Sequence, residues 1–140
     1  MIIYDAENQI LGRLCTKIAK DLLNGEKVFV VNCEKAVISG NPQYTKQKYL
    51  EKIWRGDVKH GPFFPRTPDG IFRRTVRGML PWHKQKGRKA YKNLKVFIGL
   101  PEEFKGKEMK KVKGADASKL KIKFITLEEL SLSLGAKKRW

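Results

Sequence analysis

The chain has 140 residues, 41% of them apolar, enough for one domain whose core needs neither a disulfide framework nor a structural metal. Its 31 Lys and Arg face 14 Asp and Glu, a formal net charge of +17, and such an excess selects polyanions, above all nucleic acid, as partners. No apolar run approaches a membrane span and the acidic start MIIYDAENQ lacks the basic opening of a signal peptide, so neither a membrane protein nor a secreted one is expected.

Residues 1–5 (MIIYD) are short, apolar and β-branched, and predict a first strand. Over 11–23, Leu11, Leu14, Cys15, Ile18, Ala19, Leu22 and Leu23 share one half of a helix, with Arg13, Lys17 and Lys20 opposite. Asn8 is a candidate cap, and Asn24-Gly25 a stop. Residues 27–32 predict a second strand, whose continuous apolar run at 28–31 suggests burial on both faces, as in a parallel sheet. Strand, helix, strand in so few residues is a βαβ unit. Residues 36–39 predict a third strand. Asn41-Pro42 opens a helix running toward Trp54. Cys15 and Cys33 form no CxxC pair and have no His at ligand spacing, so they read as small core residues of a reducing compartment.

Residues 55–68 predict a loop, since five Gly and Pro interrupt it. Thr67-Pro68-Asp69 then starts a helix, with Thr67 as cap, Pro68 in the first turn and Asp69 at the positive dipole end. It stops at Met79 or Leu80, before Pro81. A short basic helix over 86–93 and a fourth strand over 94–98 follow. The Lys-rich 102–118 stretch carries no clear pattern. Residues 120–125 alternate with period two, which suggests an edge strand or an extended arm. Thr126 caps a last short helix, and 135–140 are a basic tail.

Between Lys52 and Pro101 there are 13 Lys or Arg against only Asp57 and Asp69, a net +11 out of the total +17. On the helix after Thr67, the helical period puts Arg73, Arg74 and Arg77 within an arc of about 100°. Phe72, Val76, Met79 and Leu80 take the opposite or flanking arc. A guanidinium is planar, pairs bidentately with phosphate and stacks on bases, so three together suit RNA. Arg55, Lys59, His60 and Arg66 precede this helix; Trp82, His83, Lys84, Lys86, Arg88, Lys89 and Lys92 follow it. All are candidate RNA contacts. Phe63, Phe64 and Trp82 either stack on unpaired bases or pin the loops to the core.

Catalysis finds less support. The turn after the first strand has one glycine and is no phosphate loop. His60 has only Asp57 nearby and His83 has no acid, so neither has the partners of a catalytic base. No cofactor, metal or small-molecule substrate is expected. Helix-turn-helix, finger, zipper, RNP and KH signatures are absent, and charge spread over helix, loops and tail fits a protein embedded in folded RNA.

Several strings share an order with a known family: LGRL at 11–14, VNCEKAVISGN at 31–41, RTPDGIFRRTVRGMLP at 66–81, KGR at 86–88 and LKVFIG at 94–99. On these the sequence resembles large-subunit ribosomal protein family thirteen, from residue 1 to about 101. The resemblance implies a three-layer α/β/α fold around a four-stranded, mostly parallel sheet, with basic loops and a C-terminal arm. It implies a non-enzymatic structural constituent of the large ribosomal subunit, cytoplasmic, with large-subunit rRNA and neighbouring ribosomal proteins as partners. HGPFFPRTP at 60–68 is similar to the archaeal and eukaryotic branch, and the lack of a long helical extension to archaeal members. The expected organisation is a 1–101 core carrying an RNA-binding segment at 55–93, with 102–140 an extension of the same domain. A free regulatory RNA-binding protein and a small α/β nucleotide- or RNA-processing enzyme are the competing classes.

Overall fold

The structure is a computed structural model that describes residues 1–57 and 59–138. In chain order it contains β1 (Ile2–Asp5), α1 (Leu11–Leu23), β2 (Val28–Val31), β3 (Val37–Ser39), α2 (Pro42–Trp54), α3 (Pro68–Met79), α4 (Gln85–Lys92), β4 (Leu94–Val96), β5 (Phe124–Thr126) and α5 (Leu127–Ser133). The fold is α/β, as the sequence predicts. The end of the basic tail, Arg139 and Trp140, lies outside the described residues.

The main sheet is parallel in the order β1-β2-β4. Ile2 lies opposite Val28, and Val28 opposite Leu94. β2 is central, which explains its unbroken apolar run: Val28, Val30 and Val31 are all buried. The strand count differs from the expected four, because β3 leaves this sheet. Asn32 turns the chain in the left-handed region (φ 56°), a 3-10 turn at Cys33–Lys35 follows, and β3 pairs antiparallel with β5 instead. On the outer side of β1, Lys110 takes the edge. Its carbonyl accepts from the Asp5 N–H (3.0 Å) and its own N–H donates to the Ile3 carbonyl (2.8 Å).

Alternation along the strands sends Tyr4, Val28, Val30 and Leu94 into the large core beneath the helices, with Leu14, Ile18, Ile71, Phe72 and Val76. Ile3, Phe29, Val31 and Phe97 face the other way, where Phe104 and Met109 cover them. That cover is a 3-10 turn (Glu102–Phe104) and an extended link. Cys15 and Cys33 are free and buried, and burial pushes both thiols up from their ordinary pKa.

Three local expectations are corrected. Asn8 does not cap α1: it sits in a left-handed turn (φ 59°), and the cap position is Ile10, without a side-chain bond. Thr67 holds the cap position of α3 but makes no side-chain cap bond; its hydroxyl instead lies close to where a Cβ on Gly70 would be, 2.9 Å away. The expected 120–125 strand shrinks to 124–126 with the opposite face buried. Ile125 and Leu127 enter the core, while Ile122 and Phe124 are exposed. A shift of one residue exchanges the two faces of a strand, and here the Thr126 cap and the β3 register decide which face wins: Thr126 accepts from the Glu129 N–H, and Ile38 lies opposite Ile125.

Candidate nucleic-acid interface

α3 is seated by an arc of buried side chains, Ile71, Phe72, Val76 and, just past its end, Leu80. Met79 departs from that arc. It is 40% exposed at the helix end, with its sulfur against the Thr16 hydroxyl of α1. Arg73, Arg74 and Arg77 lie on the side away from that arc, yet all three are half-buried. Each guanidinium lies over an aromatic ring. Arg73 is 4.8 Å from the Tyr91 centroid, Arg74 is 5.7 Å from Phe64, and Arg77 is 4.3 Å from Trp82. The rings come from three places: the loop before α3, the turn after it, and α4. Cation–π contact contributes about 0.5–2 kcal/mol depending on desolvation. Its larger consequence here is orientation, since a ring holds the guanidinium plane while leaving N–H donors free. Among the described residues, none of the three arginines is ion-paired to a carboxylate.

The turn after α3 is fixed by its own backbone. The Trp82 N–H donates to the Leu80 carbonyl (2.8 Å) and the Lys84 N–H to the Pro81 carbonyl (3.0 Å). α4 then packs directly on Pro81. A Cβ at Gly87 would lie 2.2 Å from the Pro81 oxygen, so only glycine permits the approach. Trp82 meets Tyr91 edge-to-face at 5.2 Å. The Arg88 Nε donates to the Trp82 carbonyl (2.9 Å), tying α4 back to the turn. With Gly87 and Ala90 buried, Lys84, Lys86, Arg88, Lys89 and Lys92 are left exposed. His83 is exposed too and lines a depression of about 570 Å³ with Arg74, Arg77 and Trp82.

The loop before α3 divides its two phenylalanines. Phe64 meets Tyr49 edge-on at 5.6 Å and packs on the core, whereas Phe63 is 66% exposed. Phe64 is therefore a pin and Phe63 a free ring. Lys59 and His60 sit on a tight turn closed by paired backbone bonds between Asp57 and Gly61. His60 Nδ1 is 3.3 Å from the Asp57 carboxylate, and both side chains are exposed. Glu34 is buried and its carboxylate accepts from the Gly99 N–H (2.9 Å). Arg55 ends α2, and Arg66 lies beside Gly135. Among the described residues, no hydrogen bond or ring contact joins Arg55, Lys59, His60 or Arg66 to the three arginines.

A family model for "Ribosomal protein L13" matches residues 1–103. The chain belongs to the ribosomal protein L13 family. Named relatives extend the likeness past the end of that match. The large ribosomal subunit protein uL13 of Archaeoglobus fulgidus is 52% identical over 135 residues, covering 95% of this chain and 86% of its own. That of Methanopyrus kandleri is 50% identical over 136 residues, with the same coverage of each. That of Sulfolobus acidocaldarius is 48% identical over 143 residues, covering 99% and 96%. All three are archaeal, so this L13-family chain is of the archaeal type.

Within the L13-family chain, sequence reasoning missed two residues of the cluster. Lys52 lies over both the Tyr49 ring (4.8 Å) and the Phe64 ring (5.3 Å), on the aromatic that also backs Arg74. Burial, then repulsion from Lys48 and Arg55, lowers its pKa. Tyr91 backs Arg73. A signal for Lys52 was present, because Tyr49 is three residues before it and residues at that spacing share a helix face. For Tyr91 there was none, since its partner arrives from another helix.

Proposed function

We propose that this L13-family protein is a structural constituent of the large ribosomal subunit that binds large-subunit rRNA and supports assembly of the particle. One observation carries the binding surface: three guanidiniums on one helix, each laid on an aromatic ring and, among the described residues, none paired with a carboxylate. Unpaired guanidiniums held in fixed planes are prepared for phosphate oxygens, and the cost of ordering them has been met in folding. The exposed cations of α4 extend the surface, and the Lys59–His60 turn, Arg55 and Arg66 are outlying contacts. The names of the archaeal relatives support residence in the large subunit. The partners on this reading are rRNA and neighbouring large-subunit proteins, the setting is the cytoplasmic ribosome, and the role is binding rather than catalysis.

The test is sedimentation. Tagged protein from a cell extract is run through a gradient in raised salt beside the Arg73→Gln/Arg74→Gln/Arg77→Gln variant. The native chain is expected in the large-subunit fraction and the variant depleted from it. A native chain absent from that fraction overturns the ribosomal reading. A folded variant that enters subunits like the native chain removes the arginine face from it.

A further inference from the structure

Beside the three arginines, a groove of about 720 Å³ lies between the Arg73 end of α3, α4 and β4. Its lining carries five cations, Arg73, Arg88, Lys89, Lys92 and Lys95, and no carboxylate. Among the described residues, none of the five is ion-paired. The same lining holds two rings, Trp82 and Tyr91, and one neutral amide, Gln85. The rings are locked at 90° to each other, with Arg77 over one and Arg73 over the other. Arg88 is tethered through its Nε to the Trp82 carbonyl, which leaves its terminal nitrogens to the groove. The Arg73 Nε is buried without a partner, an unmet donor beneath the floor.

The chemistry narrows the occupant. The paired bases of an RNA duplex cannot present their faces to a concave site, so a duplex offers it phosphates and 2′-hydroxyls but nothing to lie against the rings. An acidic peptide satisfies the cations and can pair its backbone with Gln85, but its carboxylate side chains bring no π-face to the rings. An unstacked nucleotide uses all three: a π-face for the rings, a base edge for the amide, a phosphate for the cations. The volume lies within the range of about 300–1,000 Å³ typical of small-ligand sites. We propose that this groove receives one unpaired nucleotide of the bound RNA. Its base lies against the Trp82–Tyr91 pair with Gln85 at its edge, and its phosphate among Arg88, Lys89 and Lys92. The inference rests on the RNA-binding reading above, and the experiment separates the two.

Replacing Trp54 and Trp140 by Phe in the full chain leaves Trp82 as the only one of the three tryptophans. Two readouts are then taken with a short single-stranded RNA, the same sequence as a blunt duplex, and an abasic ribose-phosphate strand. Anisotropy of end-labelled RNA reports binding anywhere on the protein. Trp82 emission with unlabelled RNA reports the groove. The expected result is saturable quenching of Trp82 by the single strand only, while duplex and abasic strand bind without quenching. Gln85→Ala should weaken the single strand about fivefold, the loss of one hydrogen bond, and leave the duplex unchanged. Anisotropy that rises with no change in Trp82 emission for any RNA overturns the groove and leaves the RNA-binding reading standing. Equal quenching by all three makes the groove a backbone site and overturns the nucleotide. No rise in anisotropy with any RNA overturns both.

Discussion

α1 and α3 pack against each other and each carries three cations, yet they treat them oppositely. On α1, Arg13, Lys17 and Lys20 are exposed; Arg13 is taken by the Gly114 carbonyl (2.9 Å) and Lys17 by Asp21 (3.5 Å). On α3, Arg73, Arg74 and Arg77 are half-buried, each on a ring; Arg74 also donates to the Phe63 carbonyl (3.4 Å), and among the described residues none of the three is ion-paired to a carboxylate. Both helices look alike as a count of charges. What separates them is the support behind each charge. A paired surface cation is already satisfied and screened, while a stacked, unpaired guanidinium is aimed and still has donors to give.

The largest test of that contrast exchanges charge for charge. Arg73→Gln/Arg74→Gln/Arg77→Gln and Arg13→Gln/Lys17→Gln/Lys20→Gln each remove three positive charges. The α3 variant should lose at least about three orders of magnitude in affinity for large-subunit rRNA, since three charge-assisted bonds at the lower end of about 1.5–3 kcal/mol each already sum to about 4.5 kcal/mol. The α1 variant should lose less than about tenfold, a general effect of net charge. Filter binding across a salt series also reads the slope, which should flatten by about 0.7–0.9 per lost contact in the α3 variant alone. Equal losses would mean that net charge, not support, sets binding.

A second test removes the support and keeps the charge. Trp82→Ala deletes the ring under Arg77 and the edge partner of Tyr91, and should cost about 2–4 kcal/mol in denaturant unfolding. Arg77→Lys keeps both the ring and a positive charge and loses the planar stack. Its expected cost is about 1 kcal/mol in rRNA affinity, with little change in stability. If Arg77→Lys binds like the native chain, the ring under Arg77 serves folding only.

Much of this architecture was legible in the chain. The helical period placed α1, the Asn41-Pro42 and Thr67-Pro68 starts placed α2 and α3, and Pro81 marked the end of α3, because periodicity and proline act locally. The sheet was legible only in part: β3 reads like any short apolar strand, and its departure depends on the turn at Asn32 and on β5, nearly ninety residues later. The arginine arc was legible as a shared face, but what supports it was not. Its rings come from Phe64, Trp82 and Tyr91, on three separate segments, and no spacing rule joins them. Phe63 and Phe64 are neighbours in sequence with opposite fates, which only the position of Tyr49 decides.

Alkaline pH separates the helices by chemistry. α1 is anchored through titratable groups. Its Cys15 thiol is held above the ordinary 9.0 by burial, and the Tyr4 hydroxyl, held above 10.0 by burial and then by Asp21, donates to the Asp21 carboxylate. Cys33, near α3, is shifted the same way. The unfolded chain releases these protons at their ordinary values while the folded chain retains them. Stability from this source is therefore complete below pH 9 and falls as pH rises beyond it. Guanidiniums do not titrate there. Melting temperature should drop between pH 8.5 and 10, as read by thermal unfolding, while the three arginines keep their charge throughout.

The smallest effect is also the finest probe. Gly12 on α1 and Gly78 on α3 are both helical, and a Cβ at either would meet nothing within 4 Å. Alanine in a helix is favoured over glycine by up to about 1 kcal/mol, less near an end, so Gly12→Ala and Gly78→Ala should each raise the melting temperature slightly. Their effects on rRNA should diverge. Gly78 lines the depression with Arg74, Arg77 and His83, and if RNA backbone lies against that surface, one added methyl stands in its way. Gly78→Ala is then more stable and binds rRNA more weakly, by about 1 kcal/mol of overpacking, while Gly12→Ala is more stable and binds as before. A stabilised variant that loses affinity cannot be explained by unfolding, so this pair isolates contact from scaffold. Unchanged affinity in both would place the RNA beyond the reach of a methyl at Gly78 and leave the arginines to contact it through their extended side chains alone.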